Sequence, residues 1–167
     1  MELKKLVMQK PALTLAVAES LTCGQLQARI GAVSGASNYF LGGITAYTLA
    51  QKVKHLGVDR ASARRVDCVS QRVAVEMAQG VAEFFGADIS AATTGYAEPN
   101  PAAGAKAPLA WWAICHRLRG GRTTVISGLI EMPGAKRTEA QARVADEVLG
   151  ALAVYLREWR SVRAVGR

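Results

Sequence analysis

Apolar residues recur along this chain with two periods. Leu3, Leu6 and Val7 share one side of a short helix predicted within residues 1–10. Thr14–Ala18 is a compact apolar run of the kind a buried strand presents. Beyond Thr22 and Gly24, the residues Leu26, Ile30 and Val33 follow at helical spacing. Glu19-Ser20 therefore falls where a strand ends and a helix begins. Gly35 to Gly43 reads as a loop or broken helix, and Ile44–Tyr47 as a second short strand. The next helix carries Lys52 and Lys54 and stops at Gly57. Residues 59–67 are polar and basic.

Ser70 is a good cap for the following helix, whose apolar positions are Val73, Met77, Val81, Phe84 and Phe85 and whose stop is Gly86. Ile89–Thr93 is a third strand. Thr94–Pro108, rich in Ala, Gly and Pro, reads as a long functional loop. Ala110–His116 and Thr123–Met132 form strands of a hairpin around Gly120-Gly121. The last helix is predicted from Thr138, with Gln141 completing a capping box, and runs through Val144, Val148, Leu152 and Leu156. Strands alternate with helices early and pair as a hairpin late. The expectation is one three-layer α/β/α domain over residues 1–167 with a mixed sheet, a core at 12–160 and a frayed basic tail at 161–167.

Composition supports a globular chain: half of the 167 residues are hydrophobic and 20% are charged. No apolar run approaches the roughly 18 residues of a membrane span. The net charge of +8 favours anionic partners without choosing among them. Cys23, Cys68 and Cys115 are far apart in sequence, and the histidines are His55 and His116. That pattern argues against a zinc site or disulfide framework and for a reducing, cytoplasmic setting. Lys4, Lys5 and Lys10 before Ala12–Ala18 imitate a secretory leader, but the apolar stretch is short. We read it as a helix followed by a core strand.

Ligands of open α/β sheets bind at the carboxyl ends of strands, where Ser20, Tyr47 with Lys52, and Thr94-Gly95 fall. Ser20 is a candidate nucleophile next to a helix N-terminus, whose amides and dipole favour an oxyanion. The alternative is that Ser20 or Thr22 merely caps that helix. With two histidines in the chain, the candidate base is a lysine made neutral by burial. Lys52 meets Ser20 if the first two strands are neighbours; otherwise it is a solvated surface lysine. Cys23 is a second nucleophile or a small buried residue. Trp111 and Trp112 face opposite sides of a strand, one in the core and the other at an interface or a ligand. A nucleic-acid-binding module is the alternative of another class, resting on Arg60, Arg64, Arg65 and the Arg157–Arg167 tail. Sparse aromatics and the lack of a binding motif argue against it.

Ala18-Glu19-Ser20-Leu21-Thr22-Cys23-Gly24 resembles the A-E-S-C-T-G-G signature of the CinA C-terminal domain family. The resemblance continues in order through Gly35-Ala36-Ser37, Tyr47 with Lys52 and Leu56-Gly57-Val58, and Thr94-Gly95-Tyr96-Ala97-Glu98-Pro99. Active members are nicotinamide mononucleotide deamidases. The resemblance implies a catalytic set of Ser20, Tyr47 and Lys52, with Ser20 attacking the carboxamide, Lys52 taking its proton and Tyr47 holding or relaying it. It implies substrate contacts from Glu19, Thr22, Cys23, Gly24, Ser37, Thr94 and Gly95, with oxyanion amides near Thr22 and Cys23. It implies no metal or cofactor, a phosphorylated nucleotide as substrate, and a homo-oligomer. Leu21, Cys23, Leu49, Glu98, Ala110 and Trp111 depart from the family pattern, and Gly134-Ala135-Lys136-Arg137 lacks the aspartate of its G-D-R motif. Three readings stand: a mononucleotide deamidase, an amidohydrolase with another substrate, and a non-catalytic paralogue.

Overall fold

The computed structural model describes residues 2–165. Its elements are, in chain order, α1 (Glu2–Met8), β1 (Leu15–Glu19), α2 (Gln25–Gly31), β2 (Phe40–Thr45), α3 (Leu49–Leu56), α4 (Arg60–Arg65), α5 (Gln71–Phe85), β3 (Ile89–Tyr96), β4 (Leu109–Arg117), β5 (Thr123–Glu131) and α6 (Arg137–Val165). Single-turn 3-10 helices at Ala36–Asn38 and Pro101–Ala103 complete the chain. The five strands make one sheet in the order β2-β1-β3-β4-β5. β1 runs parallel to both its neighbours, and β3, β4 and β5 are antiparallel. The predicted mixed sheet and α/β class are thus present.

Alternation along β1 sorts its side chains into two cores. Leu15 and Val17 join residues of α1, α2 and α6 on one face, and Ala16 and Ala18 join α3, α4 and α5 on the other. The second face is lined with alanines, Ala92 and Ala113 among them, so α5 lies close to the sheet. Gly80 of α5 lets it approach α3 as well: a Cβ there would stand 2.0 Å from the Leu56 carbonyl oxygen. Every residue of β1 is buried. The basic N-terminal stretch is a helix leading into this core strand, as its pattern predicts.

Several boundaries differ from the sequence expectation. β2 starts at Phe40 and ends at Thr45, so Tyr47 lies beyond the strand. β3 continues through Thr94, Gly95 and Tyr96 because these pair with Trp111, Ala110 and Leu109 of β4. The predicted loop therefore begins later. Residues 60–65 form a helix capped by Asp59, whose carboxylate accepts from the Ser62 amide at 2.8 Å. Ser70, Gly57 and Gly86 cap as predicted, and Gly120 and Gly121 turn the hairpin with positive φ. Gln141 forms no capping box; it donates to the Leu21 carbonyl at 2.8 Å instead. The tail is helical to Val165. Arg160, just before it, is buried, donating to the carbonyls of Leu6 (2.6 Å) and Pro11 (3.2 Å). Gly166 and Arg167 of that tail lie outside the described residues.

Candidate active site

β1 and β2 are neighbours, and the chain leaving each one contributes half of a polar couple. Ser20 follows the last residue of β1. Lys52 sits on α3, one turn after the Thr48 cap, whose hydroxyl accepts from the Gln51 amide. Its Nζ donates to Ser20 Oγ at 2.8 Å and to the carbonyls of Ala46 and Tyr47, each at 2.9 Å. Lys52 is 1% exposed, so the surface-lysine alternative is excluded. Burial pushes its amine below the ordinary lysine range, against weaker opposing pulls from Cys68 and Asp67.

Three acceptors around Nζ match the three N–H groups of an ammonium, and the neutral amine fits the same place. When the amine loses its proton, two N–H groups stay on the main-chain carbonyls and the lone pair turns to Ser20, whose hydroxyl becomes the donor. The Tyr47 carbonyl, rather than its ring, holds the lysine. Tyr47 is 53% exposed, and its phenol lies near Arg137, which donates to Glu98 through Nε at 2.9 Å.

The helix after Ser20 is organised differently from expectation. A turn occupies 21–24, α2 begins at Gln25, and neither Ser20 nor Thr22 caps it. The cap is Glu19, fully buried, whose carboxylate accepts from the amides of Gly24 (3.0 Å), Leu26 (3.0 Å) and Gln27 (2.9 Å). The Cys23 amide donates to the Ser20 carbonyl at 3.2 Å. The α2 N-terminus and Cys23 are thus occupied, and cannot serve an oxyanion as predicted. Among the described residues no acceptor meets the Leu21 or Thr22 amide. Cys23 is exposed, contrary to its reading as a buried residue, and has φ 50°, a left-handed conformation. Thr22 is buried, its hydroxyl bonded to that of Thr93 at 2.8 Å.

A cavity of about 420 Å3 opens over Ser20 and Lys52. Of the residues expected to contact substrate, Thr94 and Gly95 line it; Glu19, Thr22, Cys23, Gly24 and Ser37 do not. Its other wall was not legible in the sequence. Asp67 and Cys68, both with positive φ, face it from the segment before α5. They are held there by β3: Thr94 donates to the Cys68 carbonyl at 2.7 Å and Tyr96 to the Asp67 carboxylate at 3.1 Å. Burial and that carboxylate push the Tyr96 phenol up to about 12, and burial pushes the Cys68 thiol up as well. The charged side chains lining the cavity are Lys52, Arg137, Asp67 and Glu98, so the formal charges cancel. Among the described residues no three His, Cys, Asp or Glu side chains gather as metal ligands.

The sequence profile of the CinA C-terminal domain matches residues 2–156. The chain belongs to this family. A CinA-like protein of Chlorobium limicola is 39% identical over 151 residues, covering 88% of this chain and 34% of that protein. Another, from Chlorobaculum tepidum, is 40% identical over 147 residues, covering 87% of this chain and 34% of that one. The chain thus spans about a third of the length of these relatives. Solved structures give the same fold. The CinA superfamily protein of Enterobacter cloacae superposes with a TM-score of 0.82 at 25% identity, covering 93% of this chain and 88% of that one. The competence damage-inducible protein A of Klebsiella pneumoniae gives 0.83 at 27%, covering 95% and 97%.

In this CinA domain the positions that depart from the family pattern take distinct places. Glu98 and Leu49 line the cavity, whereas Trp111 lines a neighbouring hollow. Ala110 backs Gly95, where a Cβ would stand 2.2 Å from the Leu109 carbonyl oxygen. Trp111 and Trp112 do face opposite cores, and both are partly buried, as is Trp159. No helix among the described residues is long and apolar enough to cross a membrane.

Proposed function

We propose that this CinA domain is an amidohydrolase of the nicotinamide mononucleotide deamidase type. The observation that carries the reading is the buried Lys52 amine 2.8 Å from the Ser20 hydroxyl, with its remaining N–H groups directed at two main-chain carbonyls. Such an amine is a base with its lone pair aimed.

Ser20 Oγ attacks the carboxamide carbon as its proton passes to Lys52 Nζ. The oxygen that becomes negative lies toward the amide of Leu21, a residue that lines the cavity. Lys52 then returns the proton to the departing nitrogen, the C–N bond breaks, and ammonia leaves an ester on Ser20. Water attacks that ester, giving its proton to Lys52. The C–O bond to Ser20 breaks, and Lys52 reprotonates the serine. The balance is amide plus water to acid plus ammonia. Tyr47 supplies its carbonyl to Lys52 and its ring, through Arg137, to the rim.

A second reading is favoured by Glu98, which occupies Arg137 at the rim. The cavity then offers a dianionic ligand no uncommitted cation, which fits an amide substrate other than the mononucleotide. Ammonia release from nicotinamide mononucleotide tests both. The first reading expects turnover by the intact chain and a loss of at least about a thousandfold in Ser20→Ala. Turnover on other amides alone, lost in the same variant, favours the second. No Ser20-dependent turnover on any amide rejects both.

A further inference from the structure

Beyond the wall formed by Asp67 and Tyr96 lies a second hollow of about 650 Å3, sharing those two residues, Val69 and Asn100 with the first. Arg64 and Arg65, in the last turn of α4, line it, and Trp111 forms part of its apolar side. Each hollow falls in the size range of small-molecule sites. Among the described residues neither arginine makes an ion pair. Both are exposed to the solvent that fills the hollow.

The two hollows differ in charge. In the first, Lys52 and Arg137 are cancelled by Asp67 and Glu98, and a neutral Lys52 leaves it negative. In the second, two arginines face a single carboxylate, Asp67, on the shared wall. A phosphate is repelled from the first and drawn to the second. Guanidinium groups match phosphate oxygens in geometry as well as charge. Asp67 and Asn100 line both hollows and offer polar groups between them.

We infer that the second hollow receives the phosphorylated end of the ligand whose amide lies at Ser20, with its phosphate on Arg64 and Arg65. The amidase reading is needed only for what sits at Ser20, and phosphate capture is measurable without turnover. It also gives the phosphate a place away from the Arg137–Glu98 pair at the rim.

The test is calorimetric titration of the full chain with ribose 5-phosphate and with ribose, each at low and physiological salt. The phosphate is expected to bind at least about tenfold tighter than the bare sugar, and more weakly as salt rises. Arg64→Ala with Arg65→Ala should weaken ribose 5-phosphate by about tenfold or more, and the corresponding double lysine variant should recover part of that loss. These arginines are exposed, so folding is not at stake, and circular dichroism checks it. No saturable binding of ribose 5-phosphate, equal binding of sugar and sugar phosphate, or indifference to the double alanine change overturns the inference. In kinetics, the same change should raise KM for nicotinamide mononucleotide and bring it toward that for nicotinamide riboside. Arginine-dependent binding without Ser20-dependent ammonia release from any amide sustains the phosphate site and rejects the amidase reading. Ammonia release with a KM indifferent to the arginines does the reverse.

Discussion

At the scale of the residue, the site depends on one protonation state. Burial lowers the Lys52 pKa, so kcat/KM should rise with pH along a limb whose midpoint lies below the ordinary lysine value of about 10.4. The sign follows from the role: the base acts without its proton, so activity grows as that proton is lost. A pH–rate profile checks it, and a limb that survives in Lys52→Arg, cationic at every accessible pH, would reject Lys52 as its source. Cys23 carries a separate prediction. Its φ of 50° costs a side chain about 1 kcal/mol, and its exposed thiol has little packing to lose. Cys23→Gly should therefore stabilise the fold by about 0.5–1 kcal/mol in chemical denaturation. Ser20 and Lys52 were legible because residues at strand ends in an α/β sheet converge. The cap was not. Glu19 reaches amides up to eight residues ahead across a turn, and a local rule favouring serine or threonine has no access to that path.

At the scale of the element, the lysine is placed by the seat of α3 on α5. Gly80 makes that seat possible, and Gly80→Ala would drive a methyl group into the Leu56 carbonyl. We expect a loss of about 3 kcal/mol, read as a lower denaturation midpoint. The ends of α3 and α5 were readable from their glycine stops, and α5 also from its apolar face and its Ser70 cap. β3 was cut short because Gly95 and the prolines beyond it resemble a loop locally. Its pairing with β4 overrides that, and Gly95 is there because the neighbouring backbone passes too close for a side chain. Asp67 and Cys68 were missed as site residues for a related reason. Their left-handed backbone and their fixing by Thr94 and Tyr96 exist only once β3 is in place.

At the scale of the molecule, the two ends of the chain close on each other. Arg160 of α6 donates to main-chain carbonyls between Leu6 and Pro11, and Arg157 pairs with Glu2 at 2.6 Å. The exposed Arg157 pair contributes little, whereas losing Arg160 strands buried carbonyls. Arg160→Met should cost about 2–3 kcal/mol and lower Tm by roughly 5–10 °C in a chain of this size. Calorimetric melting would show it, and an unchanged Tm would mean that water replaces the guanidinium. A basic C-terminal segment reads as solvated from sequence, since the carbonyls that bury Arg160 belong to the far end of the chain. The net charge of +8 was equally silent on location, because it describes the surface while the cavity over Ser20 is balanced.

The carbonyls of Ala46 and Tyr47 that orient Lys52 belong to the backbone, and every amino acid carries one. Substitution at Tyr47 changes the rim, and at Ala46 the core, without erasing the acceptor. Chemistry and selectivity are therefore separable traits in this fold: one is written in the path of the chain between β2 and α3, the other in side chains that ring the opening. A lineage, or an engineer, can exchange the lining of the pocket while the same proton relay stays in register beneath it.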